Sequence, residues 1–198
     1  ASVNVPVSSD GSPAESDVSA QLSAPVLIFP NPSAPLFTQR DATELSHAKH
    51  LLFGCGRYEG YDARIPDYYR SQGIDVREYS IGDYVLTGGE LAALVVLDAV
   101  MRLLPGVLGC GESATNDSFS CGLLKHRQYT RPREFEGMAV PEVLFSGDHA
   151  AVAQHRLLES VRLTLTRRPD LLARICFTAA EQKMLRRAGL LAQVETAI

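Results

Sequence analysis

An apolar strand-like run, a polar glycine turn and a long apolar helix follow one another without a break from Val76 to Gly106. No other stretch limits the possible folds as much. Ser80–Leu91 reads SIGDYVLTGGEL, and Gly82, Gly88 and Gly89 allow backbone conformations and close approaches that bulkier residues resist. A second turn, CGRYEG at Cys55–Gly60, closes another apolar run. Strand, glycine turn and helix in that order suit a small-molecule pocket built from main-chain groups. Each turn taken alone also suits an ordinary connection in an α/β domain. Neither glycine cluster spells GxGxxG and the chain contains no GxxxxGK[ST], so a P-loop or dinucleotide site is not expected. A less anionic ligand held by main chain fits better.

The flanking segments extend the same pattern. VLIFP from Val26 reads as a buried strand and NPSAP after it as a loop. TQRDATELSH predicts a helix over Thr38–His47, and LLFGCG a second strand. Gly60–Ile74 reads as partly helical with a break at Pro66, and VREYSIGDYVL supplies a third strand. The apolar helix spans Glu90–Leu104 and reads as a buried core helix. Alternating strands and helices predict an α/β layer with a largely parallel sheet. Ala1–Ala24, rich in Ser, Ala, Val, Pro and Asp without an aromatic residue, reads as a disordered segment. Residues 25–108 form the expected α/β domain, Gly109–Lys125 a Gly- and Ser-rich flexible linker, and residues 126–198 a helical domain. Within the last, His149–Thr166 and Thr178–Ala192 read as amphipathic helices.

Composition narrows the partners. Cys55, Cys110, Cys121 and Cys176 form no CxxC pair and no metal spacing with histidine, so free thiols of a cytoplasmic protein and no metal are expected. No apolar run reaches the roughly 18–20 residues that span a bilayer, so no membrane partner is expected. The formal charge of −4 hides a split: Ala1–Leu124 carries −8, and the chain from Lys125 carries +4, with ten Arg and two Lys. An Arg-rich half suits bidentate phosphate contacts with a polyanion, or simply a solvated helical surface. Arg131, Arg133, Arg156, Arg162, Arg167, Arg168, Arg174, Arg186 and Arg187 are the candidates.

CGRYEGYDAR, SIGDYVLTGGEL, RLLPGVLG, SATNDSF, YTRP at Tyr129–Pro132 and VPEVLFSGDHA at Val140–Ala150 occur in that order. Together they closely resemble the bacterial tRNA (guanine-N1)-methyltransferase family, TrmD, over about Val26–Asp170. The resemblance implies a SPOUT-type parallel sheet with a deep C-terminal trefoil knot, followed by a linker and a small helical, tRNA-binding domain. It implies S-adenosylmethionine-dependent methylation of N1 of the guanosine immediately 3′ of the anticodon, position 37. It also implies a homodimer with its active site between subunits. Three loops would hold S-adenosylmethionine: Pro30, Asn31, Pro32 and Ser33; then Gly56 and Glu59; then Ser80, Ile81, Gly82, Tyr84, Leu86, Gly88 and Gly89. Glu59 would bond the cofactor's ribose, although an ion pair with Arg57 is the plainer reading of that carboxylate.

By the same resemblance Asp117 matches the general base that takes the N1 proton, and Arg102 the cation aimed at O6. On the residues alone, Asp117 also suits a helix cap and Arg102 an i,i+4 pair with Asp98. Asp148 suits a helix cap ahead of His149. The family's N-terminal portion has no counterpart in these 198 residues, so the resemblance implies an absent N-terminal segment, itself a candidate partner. Two other readings stand beside guanine-N1 methylation: another SPOUT RNA methyltransferase, and a non-catalytic fragment that binds S-adenosylmethionine or tRNA.

Overall fold

The computed structural model describes residues 25–108, 117–120 and 122–197. The segment read as disordered, Ala1–Ala24, lies outside the described residues, as do Cys110, Cys121 and the SATN of SATNDSF. The described residues fall into two compact units, one on each side of the Gly109/Cys110 boundary.

The first unit is mixed α/β. Three strands, β1 (Val26–Pro30), β2 (Leu51–Phe53) and β3 (Asp75–Tyr79), form a parallel sheet in the order β2-β1-β3. Val26 pairs with Leu51 on one side and Asp75 on the other, so β1 is bonded along both edges. Three helices connect and cover the strands: α1 (Gln39–Leu45), α2 (Arg64–Ser71) and α3 (Glu90–Met101). Helix α1 starts at a capping box, in which the Thr38 side chain accepts from the Asp41 N–H and Asp41 accepts from the Thr38 N–H at 2.8 Å. The core joins Val26 and Ile28 of β1, Ala42 and Leu45 of α1, Tyr79 of β3 and Val96 and Val100 of α3.

Two sequence expectations change here. Pro66 does not interrupt α2; it lies in the first turn, where its missing N–H has no intrahelical partner to lose. Helix α3 is not buried all round: Ala92, Val96 and Val100 form one buried stripe, while Leu91, Leu94, Val95, Leu97 and Met101 are exposed. Hydrophobic content showed that this helix avoids water, and nothing in its sequence showed which element covers which face. The helix also stops three residues early, at Met101, ahead of Pro105.

The second unit is mainly helical. A short hairpin, β4 (Glu134–Phe135) with β5 (Met138–Ala139), precedes a 3₁₀ turn at Glu142–Phe145. Helix α4 (His149–Arg167) follows, capped by the Asp148 carboxylate, which accepts from the Ala150 and Ala151 N–H groups at 3.0 Å each. After a 3₁₀ turn at Pro169–Arg174 come α5 (Ala179–Arg187) and α6 (Leu191–Ala197). The run read as one helix over Thr178–Ala192 is thus two. Gly189, at φ +69°, ends α5 in a left-handed turn with the Leu190 N–H bonded to the Leu185 carbonyl at 2.9 Å. Leu123, Val161, Leu172, Leu185, Leu190 and Val194 form the core. Leu123 falls in the stretch read as flexible linker, as does Leu124, whose N–H donates to Thr164 Oγ1 at 3.0 Å. Residues 117–125, where described, are therefore tied to the helical unit.

Candidate functional site

All three parallel strands end on the same side of the sheet, and the loops leaving their carboxyl ends meet there, the place where open α/β sheets receive ligands. The first loop follows β1. The Asn31 N–H donates to the Tyr79 carbonyl at 2.9 Å, and Asn31 Oδ1 accepts from the Ser33 N–H at 2.9 Å. The second loop follows β2 and folds back on itself through a bridge between Arg57 and Gly60. The third follows β3: the buried Ser80 N–H donates to Pro35, and Ser80 Oγ caps the Gly82 turn. Loops two and three are joined by an Arg57–Gly88 bridge, by the Gly89 N–H donating to the Gly56 carbonyl at 3.2 Å, and by an Arg57–Glu90 ion pair at 2.7 Å. The pair Arg57 forms is thus with Glu90 and not with Glu59.

A cavity of about 260 Å³ opens between these loops. Every cofactor residue expected from the sequence lines it except Ser33, which lines an adjoining cleft of about 400 Å³ that shares Asn31, Glu59 and Tyr61 with it. Tyr58, Gly60, Tyr61, Tyr79, Val85, Thr87 and Ala92 also line the cavity and were missed. Tyr58 and Tyr61 stand inside the CGRYEGYDAR motif, so their neighbourhood was legible although they were not singled out. Tyr58 is fully exposed at the rim with φ +58°, a conformation rarely held by an aromatic residue. Tyr84 is half exposed and its hydroxyl donates to the Ile81 carbonyl at 3.2 Å.

The electrostatics of the lining decide which ligands fit. Among the described lining residues Glu59 is the one charged side chain, and none is Lys, Arg or His. A nucleoside polyphosphate would find no counter-charge there, whereas a ligand with a cationic centre would. Pro30, Ile81, Leu86 and Ala92 supply apolar contact, and the glycine loops bring main-chain donors and acceptors close. That combination fits S-adenosylmethionine, whose adenine needs apolar walls and main-chain bonds and whose sulfonium is a cation. Burial, then the charge of Glu90, push the neighbouring Cys55 thiol up.

Behind the cavity, Glu78 gathers three donors. Its Oε1 accepts from Asn31 Nδ2 at 2.9 Å and from the Tyr61 hydroxyl at 2.8 Å, while its Oε2 accepts from Arg70 at 2.6 Å. The Arg70 guanidinium and then the Asn31 amide hold the Glu78 carboxyl below the usual carboxylate range. Burial, followed by the bond to Glu78, pushes the Tyr61 hydroxyl far above the usual tyrosine range. Because the Glu78 value is depressed, this network contributes stability above about pH 4.3 and loses it as pH falls through the folded-state value.

The residues expected to do chemistry are not among the lining residues. Arg102 is the C-terminal cap of α3 and does not line the cavity. Asp117 belongs to the second unit, where its carboxylate accepts from Lys125 Nζ at 2.7 Å. Among the described residues, no helix begins at Asp117.

The second unit has its own cavity, of about 430 Å³, lined by Arg127, Arg131, Arg133, Arg156, His126 and His155 among others. Tyr129 and Phe145 also line it, and the Arg133 guanidinium lies 4.1 Å over the Phe145 ring. Glu159 is the lone acid, 3.4 Å from Arg127 and 3.6 Å from His155. Of the arginines singled out in the sequence, Arg131, Arg133 and Arg156 line this cavity, and Arg127, not among them, joins them. Arg168 is paired with Asp170 at 2.6 Å. Among the described residues no cluster of His, Cys, Asp and Glu could hold a metal ion, and no helix is long and apolar enough to cross a membrane.

Residues 11–174 match the family described as tRNA (Guanine-1)-methyltransferase TrmD. A tRNA (guanine-N(1)-)-methyltransferase of Bifidobacterium longum (strain DJO10A) is 60% identical over 190 residues, which cover 93% of this chain and 66% of the relative. The corresponding protein of Bifidobacterium longum subsp. infantis is 62% identical over 179 residues, 88% of this chain and 66% of its own length. That of Bacillus cereus (strain AH820) is 52% identical over 161 residues, covering 81% and 64%. The chain thus spans just under two thirds of the relatives it matches. With the family match running through both the loop cavity and the basic helical unit, this chain belongs to the tRNA (guanine-1)-methyltransferase TrmD family.

Proposed function

We propose that this chain takes part in S-adenosylmethionine-dependent methylation of N1 of guanosine-37 in tRNA, acting as a homodimer in the cytoplasm. The observation that carries the reading is the cavity lining: main chain and apolar side chains from three loops, with Glu59 as the single charge. When bound, S-adenosylmethionine supplies a methyl group already activated by its positive sulfur. The protein's share of the reaction is then proton removal, charge stabilisation and alignment.

Guanine N1 carries a proton and is a poor nucleophile until it is lost. Asp117 is the carboxylate assigned to accept that proton. Loss of the proton places negative charge on O6, and Arg102 is the cation assigned to face it. Lys125 Nζ donates to the Asp117 carboxylate at 2.7 Å, which orients it. The loops Pro30–Ser33, Gly56–Glu59 and Ser80–Gly89 hold the methyl donor, with Glu59 bonding the ribose. In this reading the parallel sheet and its loops form the deep trefoil knot of the SPOUT class, with a linker leading to the helical tRNA-binding domain.

The test is methyl transfer from labelled S-adenosylmethionine to two tRNA transcripts that differ only in guanosine or adenosine at position 37. Transfer to the guanosine transcript alone is expected. Transfer to both would point to another RNA methyltransferase specificity. Binding without transfer would support the fragment reading.

The basic cavity of the second unit gives a separate prediction. Arg133→Ala should weaken tRNA binding for all sequences alike and lower the slope of log affinity against log salt by about 1. Phe145→Ala should weaken binding with little change in that slope, since stacking carries no charge. Filter binding from low to moderate salt reads both. An unchanged slope in Arg133→Ala would remove this cavity from the tRNA contact.

A further inference from the structure

We infer that Glu78 is a positioning residue that clamps two of the three cofactor loops to each other. The inference rests on the proposal that the loop cavity takes S-adenosylmethionine. Glu78 lies one residue before Tyr79 at the end of β3, and Tyr79 points into the core. Successive strand residues face opposite sides, so Glu78 points away from that core and toward the first two loops. It does not line the cavity itself but lines the adjoining cleft.

One oxygen, Oε1, accepts from both loops at once: from Asn31 Nδ2 in the first and from the Tyr61 hydroxyl just past the second. The other, Oε2, is held by Arg70 of α2, which also bonds Asp67 at 3.0 Å. The carboxylate is therefore fixed from behind while its free edge ties the loops. Tyr61 is further restrained by its ring, whose centroid lies 4.7 Å from that of Phe29. Asn31 is held at both ends, its Nδ2 by Glu78 and its Oδ1 by the Ser33 N–H. These bonds fix the shape of the Pro30–Ser33 loop. A carboxylate suits this task better than an amide, because each bond is charge-assisted and its second oxygen can also accept from Arg70.

Isothermal titration of the protein with S-adenosylmethionine tests the clamp. Glu78→Ala should weaken binding about tenfold, the scale of one lost charge-assisted bond. Glu78→Gln should stay within about threefold, because its amide oxygen still accepts from Asn31 and Tyr61. Tyr61→Phe alone should cost about threefold, and should cost nothing further in the Glu78→Ala background. Unchanged affinity in Glu78→Ala, or losses that simply add, would overturn the clamp, as would a lowered melting temperature with normal affinity.

A second readout does not need the cofactor. The chain has seven tyrosines and no tryptophan, so tyrosinate absorbance is free of indole background. In the wild-type protein Tyr61 should ionise late, and in Glu78→Gln, without the facing charge, earlier. Tyr61→Phe should remove that late transition. Tyr79, also held up by burial, should be unaffected. An identical titration in wild type and Glu78→Gln would overturn the proposal even if Glu78→Ala fails to fold. Wild-type protein that binds no S-adenosylmethionine, yet shows the tyrosine shift, would instead refute the proposed function.

Discussion

Asp117→Ala is expected to lower methyl transfer to guanosine-37 by about a thousandfold, with S-adenosylmethionine affinity within about twofold of wild type. The two effects separate because of where the residues lie. The cavity is lined by residues between Pro30 and Ala92, all in the first unit, while Asp117 is bonded within the second. On the proposed assignment its removal takes away the proton acceptor, and Asp117 is not among the residues that line the cavity. Asp117 also anchors Lys125, whose own N–H donates to Ser118 Oγ at 2.9 Å, so the alanine variant could loosen that local turn. Asp117→Asn controls for this: the amide oxygen still accepts from Lys125, but the group is no base. Both variants should be equally inactive in single-turnover assays with labelled cofactor. An active Asn variant would make Asp117 a structural anchor, and loss of cofactor binding in either would place it in the cavity's support.

Gly56→Ala is expected to cost about a hundredfold in S-adenosylmethionine affinity, the second large effect. A Cβ at Gly56 would sit 2.8 Å from the Gly60 carbonyl carbon and 3.0 Å from its Cα, inside the contact distance of any real side chain. The neighbour is backbone, so it cannot rotate away. The turn between Arg57 and Gly60 must open, and with it go the Arg57–Gly88 bridge and the Gly89-to-Gly56 bond that hold the second and third loops together. Overpacking of this kind also costs about 1–3 kcal/mol of stability. Calorimetric titration and thermal melting of the same sample separate the two losses. Normal affinity in a protein of lowered melting temperature would show that this turn supports the fold and is no wall of the site.

Much of the first unit was legible because its signals are local. VLIFP is a short apolar run bounded by proline, and it forms β1 over Val26–Pro30. TQRDATELSH carries its charges on one side, and the structure puts α1 there over Gln39–Leu45. The loop residues were legible through glycine and serine clusters at strand ends, and through a family resemblance that no periodicity could supply. Long-range features were not legible. Glu78 meets Asn31 and Tyr61 from 47 and 17 residues away, and no spacing rule connects them. Leu123 sits among glycines and serines that read as a linker, yet it is buried, because one leucine is enough to fill a gap beside Val161 and Leu172. The exposed side of α3 escaped for a different reason: a helix apolar all round does not say which stripe its own unit will cover.

The central position of β1 also sets the order in which the sheet can be completed during synthesis. Its two partners come later in the chain: β2 first, then β3. Parallel pairs cannot close through a tight hairpin, so each needs a long excursion before its first bond forms. Until Tyr79 has left the ribosome, Ile28 and Phe29, the most buried residues of the described sheet, belong to a strand that still lacks its β3 partner. An unpaired edge templates wrong pairings between chains. Assembly of this sheet is therefore slow relative to helix formation, and sensitive to how fast the ribosome delivers Asp75–Tyr79. Variants that weaken β3 pairing should show their defect first as insoluble nascent protein, before any loss is measurable in the folded molecule.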